Sequence, residues 1–162
     1  MAKTKPKFTI RGTQFRTLKK DLKVEMVDSE GEVEEYTVGW VMIRGQEDPV
    51  YQKKIAPATV DYQEDSELIR QEIQEIKSST EEGETPDIEI QKNKLRVVLE
   101  RYMLAAVCAA IESWDEDFFE SEFSYDAAML VFEDPANNHI YNQIAEYIGD
   151  KESFLPIASA EQ

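Results

Sequence analysis

The sequence predicts an α+β fold, with a small N-terminal antiparallel β-hairpin or sheet followed by a C-terminal helical bundle of three to four helices. Two alternating stretches near the N-terminus predict the strands, and an acid-rich turn separates them. Apolar residues three and four positions apart predict amphipathic helices over the rest of the chain. With 162 residues, 41% of them apolar, the chain can form one domain with a modest core.

The two strands are predicted around residues 22–26 and 36–43. The first stretch alternates apolar with more polar residues, and the second is fairly apolar on both faces. The turn between them contains Gly31, which tolerates positive φ. A further candidate edge strand, Phe8–Ile10, lies in the basic N-terminal segment.

Two helices are predicted between the strands and the acidic loop. Asp48-Pro49 predicts a short helical turn that ends before Pro57, because proline suits the first helical position but interrupts a helix interior. A second helix is predicted from Asp65 to Lys77, with Asp65 or Ser66 as its N-cap. Its predicted inward face consists of Leu68, Ile69, Ile73 and Ile76.

The longest predicted helix runs from Leu95 to Trp114. Its apolar stripe is so wide that either the rest of the chain or a partner must cover it. We expect Cys108, on this helix, to be a small buried hydrophobe. The stripe comprises Leu95, Val98, Leu99, Tyr102, Met103, Ala106, Val107, Ala110, Ile111 and Trp114.

Two shorter helices complete the predicted bundle. Ser124 is the predicted N-cap of a helix over Tyr125–Glu133. Asp134-Pro135 predicts the start of the last helix, and Gly149 predicts its end. The segment 154–156 is expected to pack back onto the bundle.

The predicted segments are a mobile basic head, a β-hairpin plus helix region, an acidic loop that serves as a hinge, a helical bundle and a frayed tail. They cover residues 1–12, 13–77, 78–90, 91–156 and 157–162, respectively.

The net charge of −16, from 34 acidic and 18 basic residues, disfavours binding to nucleic acid backbones or to an anionic membrane surface and favours basic partners. The charge is uneven: residues 1–23 carry +7, whereas residues 61–89 and residues 112–134 each carry −9. Such runs indicate a solvated surface or self-complementary charge, so a homo-oligomer is among the expected partners. A single cysteine and the lack of a signal peptide or a bilayer-length apolar run favour the cytoplasm.

No catalytic motif is present. His139 is the only histidine and Cys108 the only cysteine, which is too few for a zinc site. The acids after Trp114 lack EF-hand spacing, and no Gly-rich phosphate loop occurs. We therefore expect neither an enzyme nor a cofactor or metal.

Aromatic residues are concentrated after the longest helix, among acids. Most should be core, but any two that remain exposed would form an aromatic anchor in an acidic rim, a composition typical of protein-binding sites. The candidate partner-binding residues are Trp114, Phe118, Phe119, Phe123 and Tyr125.

The order of these C-terminal motifs resembles the tail assembly chaperones of long-tailed bacteriophages. In that family an Ala-rich helix ends at a tryptophan, and a capped helix, an Asp-Pro step, a last helix and a phenylalanine follow. Here the corresponding motifs are Ile111-Glu112-Ser113-Trp114, Phe123-Ser124-Tyr125, Asp134-Pro135, the I-x-x-x-I-x-x-Y-I pattern and Phe154.

The resemblance implies a non-enzymatic assembly factor that binds the tape measure protein, keeps it soluble and recruits tail tube subunits. Such a chaperone works in the host cytoplasm and is not expected in the mature virion. Two alternatives remain open: an acidic inhibitor or DNA mimic that binds a basic partner, and a structural tail or head-completion protein.

Overall fold

The computed structural model describes residues 15–150 and Phe154, so the predicted head, the candidate strand Phe8–Ile10 and the predicted tail lie outside the described residues. Three strands form an antiparallel sheet in the order β1-β2-β3, and helices make up most of the remaining chain. The predicted α+β fold is therefore confirmed. The elements are β1 Thr17–Val27, β2 Val33–Arg44, α1 Pro49–Ser79, α2 Glu89–Ala110, β3 Ile111–Trp114, α3 Glu116–Phe119, α4 Tyr125–Glu133 and α5 Asn138–Gly149.

The β1–β2 hairpin forms where it is predicted, but both strands are longer than the alternation indicates. The strands pair from Thr17 opposite Arg44 to Val27 opposite Val33. Asp28 closes the turn because its Oδ1 accepts the backbone N–H groups of residues 30 and 32, at 2.8 and 2.9 Å. Gly31 adopts the predicted positive φ, at 83°.

The predicted end of the longest helix at Trp114 is wrong. The helix α2 ends at Ala110, and Ile111–Trp114 form strand β3, which pairs antiparallel with residues 41–43 of β2. The backbone turns extended at Ile111, with φ −77° and ψ 128°. Strand pairing with β2 outweighs continuation of the helix because it extends the sheet into the core.

A bulge explains why this strand has helical spacing. Ile111 pairs with Ile43 and Trp114 with Val41, so one extra residue is accommodated on β3. In a regular strand, residues three apart face opposite sides, whereas the bulge lets both side chains face the core. Both are buried, at 0% and 2% exposure.

The predicted break before Pro57 and the predicted helix start at Asp65 are also wrong. One continuous helix, α1, runs for 31 residues with Pro57 in its interior. Proline removes one hydrogen bond to the carbonyl of Lys53, and both residues lie on the exposed side, where water can satisfy that carbonyl. The start at Asp48-Pro49 is confirmed, since the Asp48 carboxylate accepts the Val50 N–H at 2.8 Å.

Ser66 is not a cap but a buried interior residue, and its hydroxyl donates to the Gln63 carbonyl at 3.2 Å. The helix α2 begins at Glu89, six residues before the predicted start at Leu95. A loop from residue 80 to 88 joins α1 and α2 inside the predicted acidic segment. Its role as a hinge stays a prediction.

The predicted C-terminal caps are confirmed. The Ser124 hydroxyl accepts the Ala127 N–H at 3.0 Å, and α4 spans the predicted residues. The Asp134 carboxylate accepts the Ala136 N–H at 2.9 Å, and a single 3₁₀ turn then leads into α5. Phe154 packs against the core, as predicted.

The buried core lies between the sheet and the C-terminal half of α2, with α4 and α5 packed around it. The helix α1 contributes only Tyr51 and Ile55. Within residues 15–150, no helix is long and apolar enough to cross a bilayer.

The last helix also covers part of the outer edge of β1. The Gln143 side chain accepts the Lys23 N–H at 2.9 Å and donates to the Lys23 carbonyl at 2.5 Å. The Tyr147 hydroxyl donates to the Asp21 carbonyl at 2.8 Å. These side chains satisfy backbone groups that a neighbouring strand would otherwise pair.

Candidate functional site

The structure brings four of the five predicted partner-binding aromatics together, whereas Tyr125, at the start of α4, makes no ring contact with them. The rings of Trp114 and Phe119 stack with centroids 4.2 Å apart, and Phe123 meets the same tryptophan edge-on at 5.3 Å. Phe118 lies edge-on to Phe119 at 4.9 Å. The Trp114 indole N–H donates to the Ser121 carbonyl at 2.8 Å, which folds the segment after β3 back over the indole.

This aromatic cluster is part of the packed interior. Trp114 is 2% exposed, and Phe118, Phe119, Phe123 and Tyr125 are half-buried against the core. Their packing role is thus established, and their role in partner contact stays a prediction.

Acids around the cluster divide into two groups. Asp115 serves the local structure, because its carboxylate accepts the N–H groups of Asp117 and Phe118 at the start of α3. The remaining acids form an exposed rim without basic neighbours in sequence: Glu112, Glu116, Asp117, Glu120 and Glu122. These acids lie beside the half-buried aromatic cluster, and the Lys54 ammonium lies over its Phe123 ring, 5.8 Å from the ring centroid.

A helical hairpin, defined here as residues 59–103 of α1, α2 and their loop, extends beyond the main core. None of its residues belongs to the main buried cluster, and only Tyr102 packs against the edge of that cluster. Its two helices are joined by ion pairs from Lys94 to Glu72 at 3.0 Å and from Arg101 to Asp65 at 3.9 Å.

The less exposed residues of the helical hairpin recur at spacings of three and four, as in the seam of a coiled coil. Only Ser66 and Ile69 are buried there, because two helices alone cannot enclose a seam. The rings of Tyr62 and Tyr102 meet across it at 5.0 Å. The seam comprises Tyr62, Ser66, Ile69, Ile73 and Ile76 on α1, and Gln91, Leu95, Val98 and Tyr102 on α2.

Large apolar side chains flank this seam and remain open to solvent. The prediction that Leu68 faces inward is wrong, since it is 60% exposed. Leu99 and Met103 belong to the predicted wide stripe, and no described part of the chain covers them. The sequence does indicate this exposure, because Leu99 and Met103 do not fall at the heptad positions that form the seam. The exposed set is Val60, Leu68, Ile90, Val97, Leu99 and Met103.

A cleft of about 260 Å³ lies where α1, α2 and α4 meet. Lys54 lines it, and burial lowers the pKa of this lysine; the nearby Arg44 lowers it further and Glu112 opposes the shift. Arg44 is itself buried, and its Nη1 has no hydrogen-bond partner in the described structure. Asp61, Asp65 and Arg101 also line the cleft, so both signs of charge are present.

No group of side chains among the described residues is arranged to hold a metal ion. Cys108 is fully buried, as predicted, and this burial raises the pKa of its thiol to about 12. A thiol in that environment is a poor nucleophile, because the thiolate is the reactive form. His139 is exposed on α5.

Comparisons with protein-family models, with curated proteins and with solved structures find no match to this chain. The function is therefore inferred from the chain's own surfaces and from the order of its elements.

Proposed function

We propose that the protein is a non-enzymatic tail assembly chaperone of a long-tailed bacteriophage, and that its helical hairpin binds the tape measure protein. The observation that supports this proposal is the set of apolar side chains that the helical hairpin leaves uncovered. A third, amphipathic helix laid along one flank of the paired helices, such as the flank of α2 that carries Leu99 and Met103, would cover part of this set. The tape measure protein, as a very long helical protein with apolar stripes, is a partner of this kind.

The energetics of such docking are favourable. Each large apolar side chain that becomes fully buried contributes about 1.5–3 kcal/mol. Leu99 and Met103, four residues apart on one flank of α2, could contribute in this way, against the cost of ordering the partner. The net charge of −16 then keeps the loaded complex soluble.

The arrangement of the C-terminal elements is compatible with the resemblance to this family, with one difference. The capped helix α4, the Asp134-Pro135 step and α5 follow one another as the family pattern implies. Trp114 ends a strand rather than a helix. In this proposal the chaperone acts in the host cytoplasm, recruits tail tube subunits to the coated tape measure protein and leaves before the virion is complete.

Affinity capture from the infected-cell lysate tests the proposal, with the full chain as bait at low and at high salt. The wild-type chain should retain a very long helical protein at both salts, together with tube subunits. A Leu99→Glu/Met103→Glu variant should lose at least tenfold of the captured long protein. The control Gln71→Glu/Asn93→Glu adds the same charge at exposed polar positions of the helical hairpin, one on each helix, and should capture normally.

Other results favour the alternatives. Capture of a DNA-binding protein at low salt only, unaffected by the Leu99 and Met103 changes, would sink the chaperone proposal in favour of an acidic inhibitor or DNA mimic. Detection of the protein in purified virions would favour a structural tail or head-completion protein.

A further inference from the structure

One side of the helical hairpin, here called the acidic flank, carries exposed apolar residues within a row of acids. On α1, the exposed Leu68 lies three residues after Asp65 and four residues before Glu72. Such spacings place the three side chains on one face of the helix. The positions three, four and seven residues away from Leu68 hold five acids and no base. These positions are Asp61, Glu64, Asp65, Gln71, Glu72 and Glu75.

The ion pairs between the two helices show which residues of α2 share this side. The two acids that flank Leu68 pair with Arg101 and Lys94. Val97 lies three residues after Lys94 and four residues before Arg101, so it is level with Leu68. Ile90 lies two turns earlier on the same face of α2. All three apolar side chains are exposed, so the acidic flank has an apolar centre that no described part of the chain covers.

The acidic flank is distinct from the surface that carries Leu99 and Met103. An α-helix turns by about 100° per residue, so Leu99 and Val97 point to nearly opposite sides of α2. The seam residue Val98 lies between them and faces α1. A helix bound to Leu99 and Met103 therefore leaves the acidic flank uncovered.

The charge of the acidic flank favours a basic partner. Asp61, Glu64 and Glu75 are exposed, and none of them forms an ion pair with a described residue. A partner that covers Leu68 and Val97 must approach these three carboxylates. Basic side chains in the partner would pair with them, and acidic ones would be repelled.

The cleft between α1, α2 and α4 continues the acidic flank towards the core. Asp61, Asp65 and Arg101 of the flank line it on one side, and Tyr125 and Met129 of α4 line it on the other. Its volume of about 260 Å³ is sufficient for one bulky side chain of a partner. Such an anchor in a pocket is typical of protein-binding sites. Tyr125 is the predicted partner-binding residue that lies outside the aromatic cluster.

The dimensions of this surface favour a helix as its occupant. Ile90 and the cleft residue Tyr102 are twelve residues apart on α2, which is about 18 Å along the axis. An amphipathic helix of three to four turns has about this length and presents its apolar residues in one stripe. A second copy of the chain is a poor occupant, because two acidic flanks would repel each other and a contact between unlike sides does not close.

We propose that the acidic flank binds a basic amphipathic helix of a partner protein, with one bulky side chain of that helix in the cleft. The apolar stripe of the partner covers Leu68 and Val97, and its basic side chains meet the unpaired carboxylates. The site lies on the opposite side of α2 from Leu99 and Met103, so it stands or falls independently of the proposed chaperone function.

Fluorescence anisotropy with a labelled synthetic peptide tests the proposal on the full chain. The probe is a helix of about 18 residues with Leu at every third or fourth position, Trp at one end and Lys or Arg elsewhere. A second peptide has the same composition in scrambled order. At physiological ionic strength, which screens exposed charges, the ordered peptide should bind about tenfold more tightly or better, because only its apolar stripe is continuous.

Substitution of the apolar centre tests where the peptide binds. Leu68→Gln/Val97→Gln leaves the charge unchanged and should weaken binding of the ordered peptide about tenfold or more, because two apolar side chains are lost from the contact. The matched control Leu99→Gln/Met103→Gln makes the same kind of change on the opposite side of α2 and should bind the peptide normally. Circular dichroism checks that both variants keep their helices.

Reversal of charge tests the role of the carboxylates. Glu64→Lys/Glu75→Lys should weaken binding of the ordered peptide about tenfold, because repulsion replaces attraction at the contact. The matched control Glu30→Lys/Glu32→Lys makes the same change in net charge at exposed positions of the β1–β2 turn and should bind normally.

Three results would overturn the proposal. One is equal binding of the ordered and scrambled peptides, which would reduce the interaction to general charge attraction. Another is unchanged binding by the folded Leu68→Gln/Val97→Gln variant. The third is self-association of the wild-type chain that this variant abolishes, because a second copy would then occupy the flank. The same variant should still capture the long helical protein from lysate, which separates this site from the proposed chaperone surface.

Discussion

At the scale of single residues, Gly39 and Phe118 show how the segment after β3 is seated on the sheet. A Cβ atom built at Gly39 would lie 2.9 Å from the Cβ and Cγ atoms of Phe118. Such a distance is shorter than van der Waals contact, so position 39 must lack a side chain for the ring to sit there. The aromatic cluster is thus fixed by a glycine on β2 as well as by its own stacking.

Gly39→Ala should lower the free energy of unfolding by about 1–3 kcal/mol, because the ring must move. The same change made in a Phe118→Ala background should cost less, because the ring atoms Cγ and Cδ1 are gone, although the Cβ atom of residue 118 remains close. Urea unfolding of the four chains measures this coupling. Gly149→Ala is the matched control, as nothing lies within 4 Å of the added Cβ. Strict additivity of the two changes would show that Phe118 does not rest on Gly39.

At the scale of elements, structure that depends on contacts within one helical turn can be predicted from the sequence. Structure that depends on residues far apart in the chain cannot. The caps at Ser124 and Asp134 act on N–H groups two or three residues away, and both are confirmed. Trp114 instead lies in a strand, because β3 pairs with residues 41–43 of β2, which are far from it in the sequence. Periodicity alone cannot distinguish a bulged strand from one more helical turn.

Pro57 provides a second example at this scale. Proline predicts a break, yet the apolar residues Tyr51, Ile55 and Tyr62 stay on one face of α1 across it. Packing of that face against α2 therefore outweighs the lost hydrogen bond. The clustering of aromatic residues after α2 is visible in the sequence, although their role in partner contact stays a prediction. The exposed flank of the helical hairpin instead depends on how two helices face each other.

Replacing this proline tests the continuity of the helix. Pro57→Ala should raise the free energy of unfolding by about 1–3 kcal/mol, because proline is unfavourable by about 3 kcal/mol in a helix interior and exposed sites recover part of that. Pro49→Ala, at the first helical position, should change stability far less. Thermal and urea unfolding provide the measurement. A helix broken at Pro57 would instead be indifferent to the substitution or destabilised by it.

At the scale of the whole molecule, one small core supports two extensions, one made of helices and the other of β-strands. The buried cluster joins the sheet to the C-terminal half of α2, and the helical hairpin and the outer part of the β1–β2 hairpin, residues 25–37, both extend beyond it. Both extensions expose apolar residues, including Leu99 on the helical hairpin and Met26 on the outer part of the β1–β2 hairpin. The core therefore holds two separate surfaces in place, each with too few buried side chains to be stable alone.

This division predicts an uneven pattern of hydrogen exchange in the free protein. Amides of Ala105–Trp114 and of residues 41–43 should exchange only on global unfolding, because their side chains form the core. Amides of the helical hairpin should exchange at least tenfold faster, since only Ser66 and Ile69 are buried there. Peptide-resolved exchange followed by mass spectrometry can measure the difference. Equal protection of the two regions would mean that the helical hairpin and the core open as one unit. The exposed apolar side chains would then not lower the local stability of the helical hairpin.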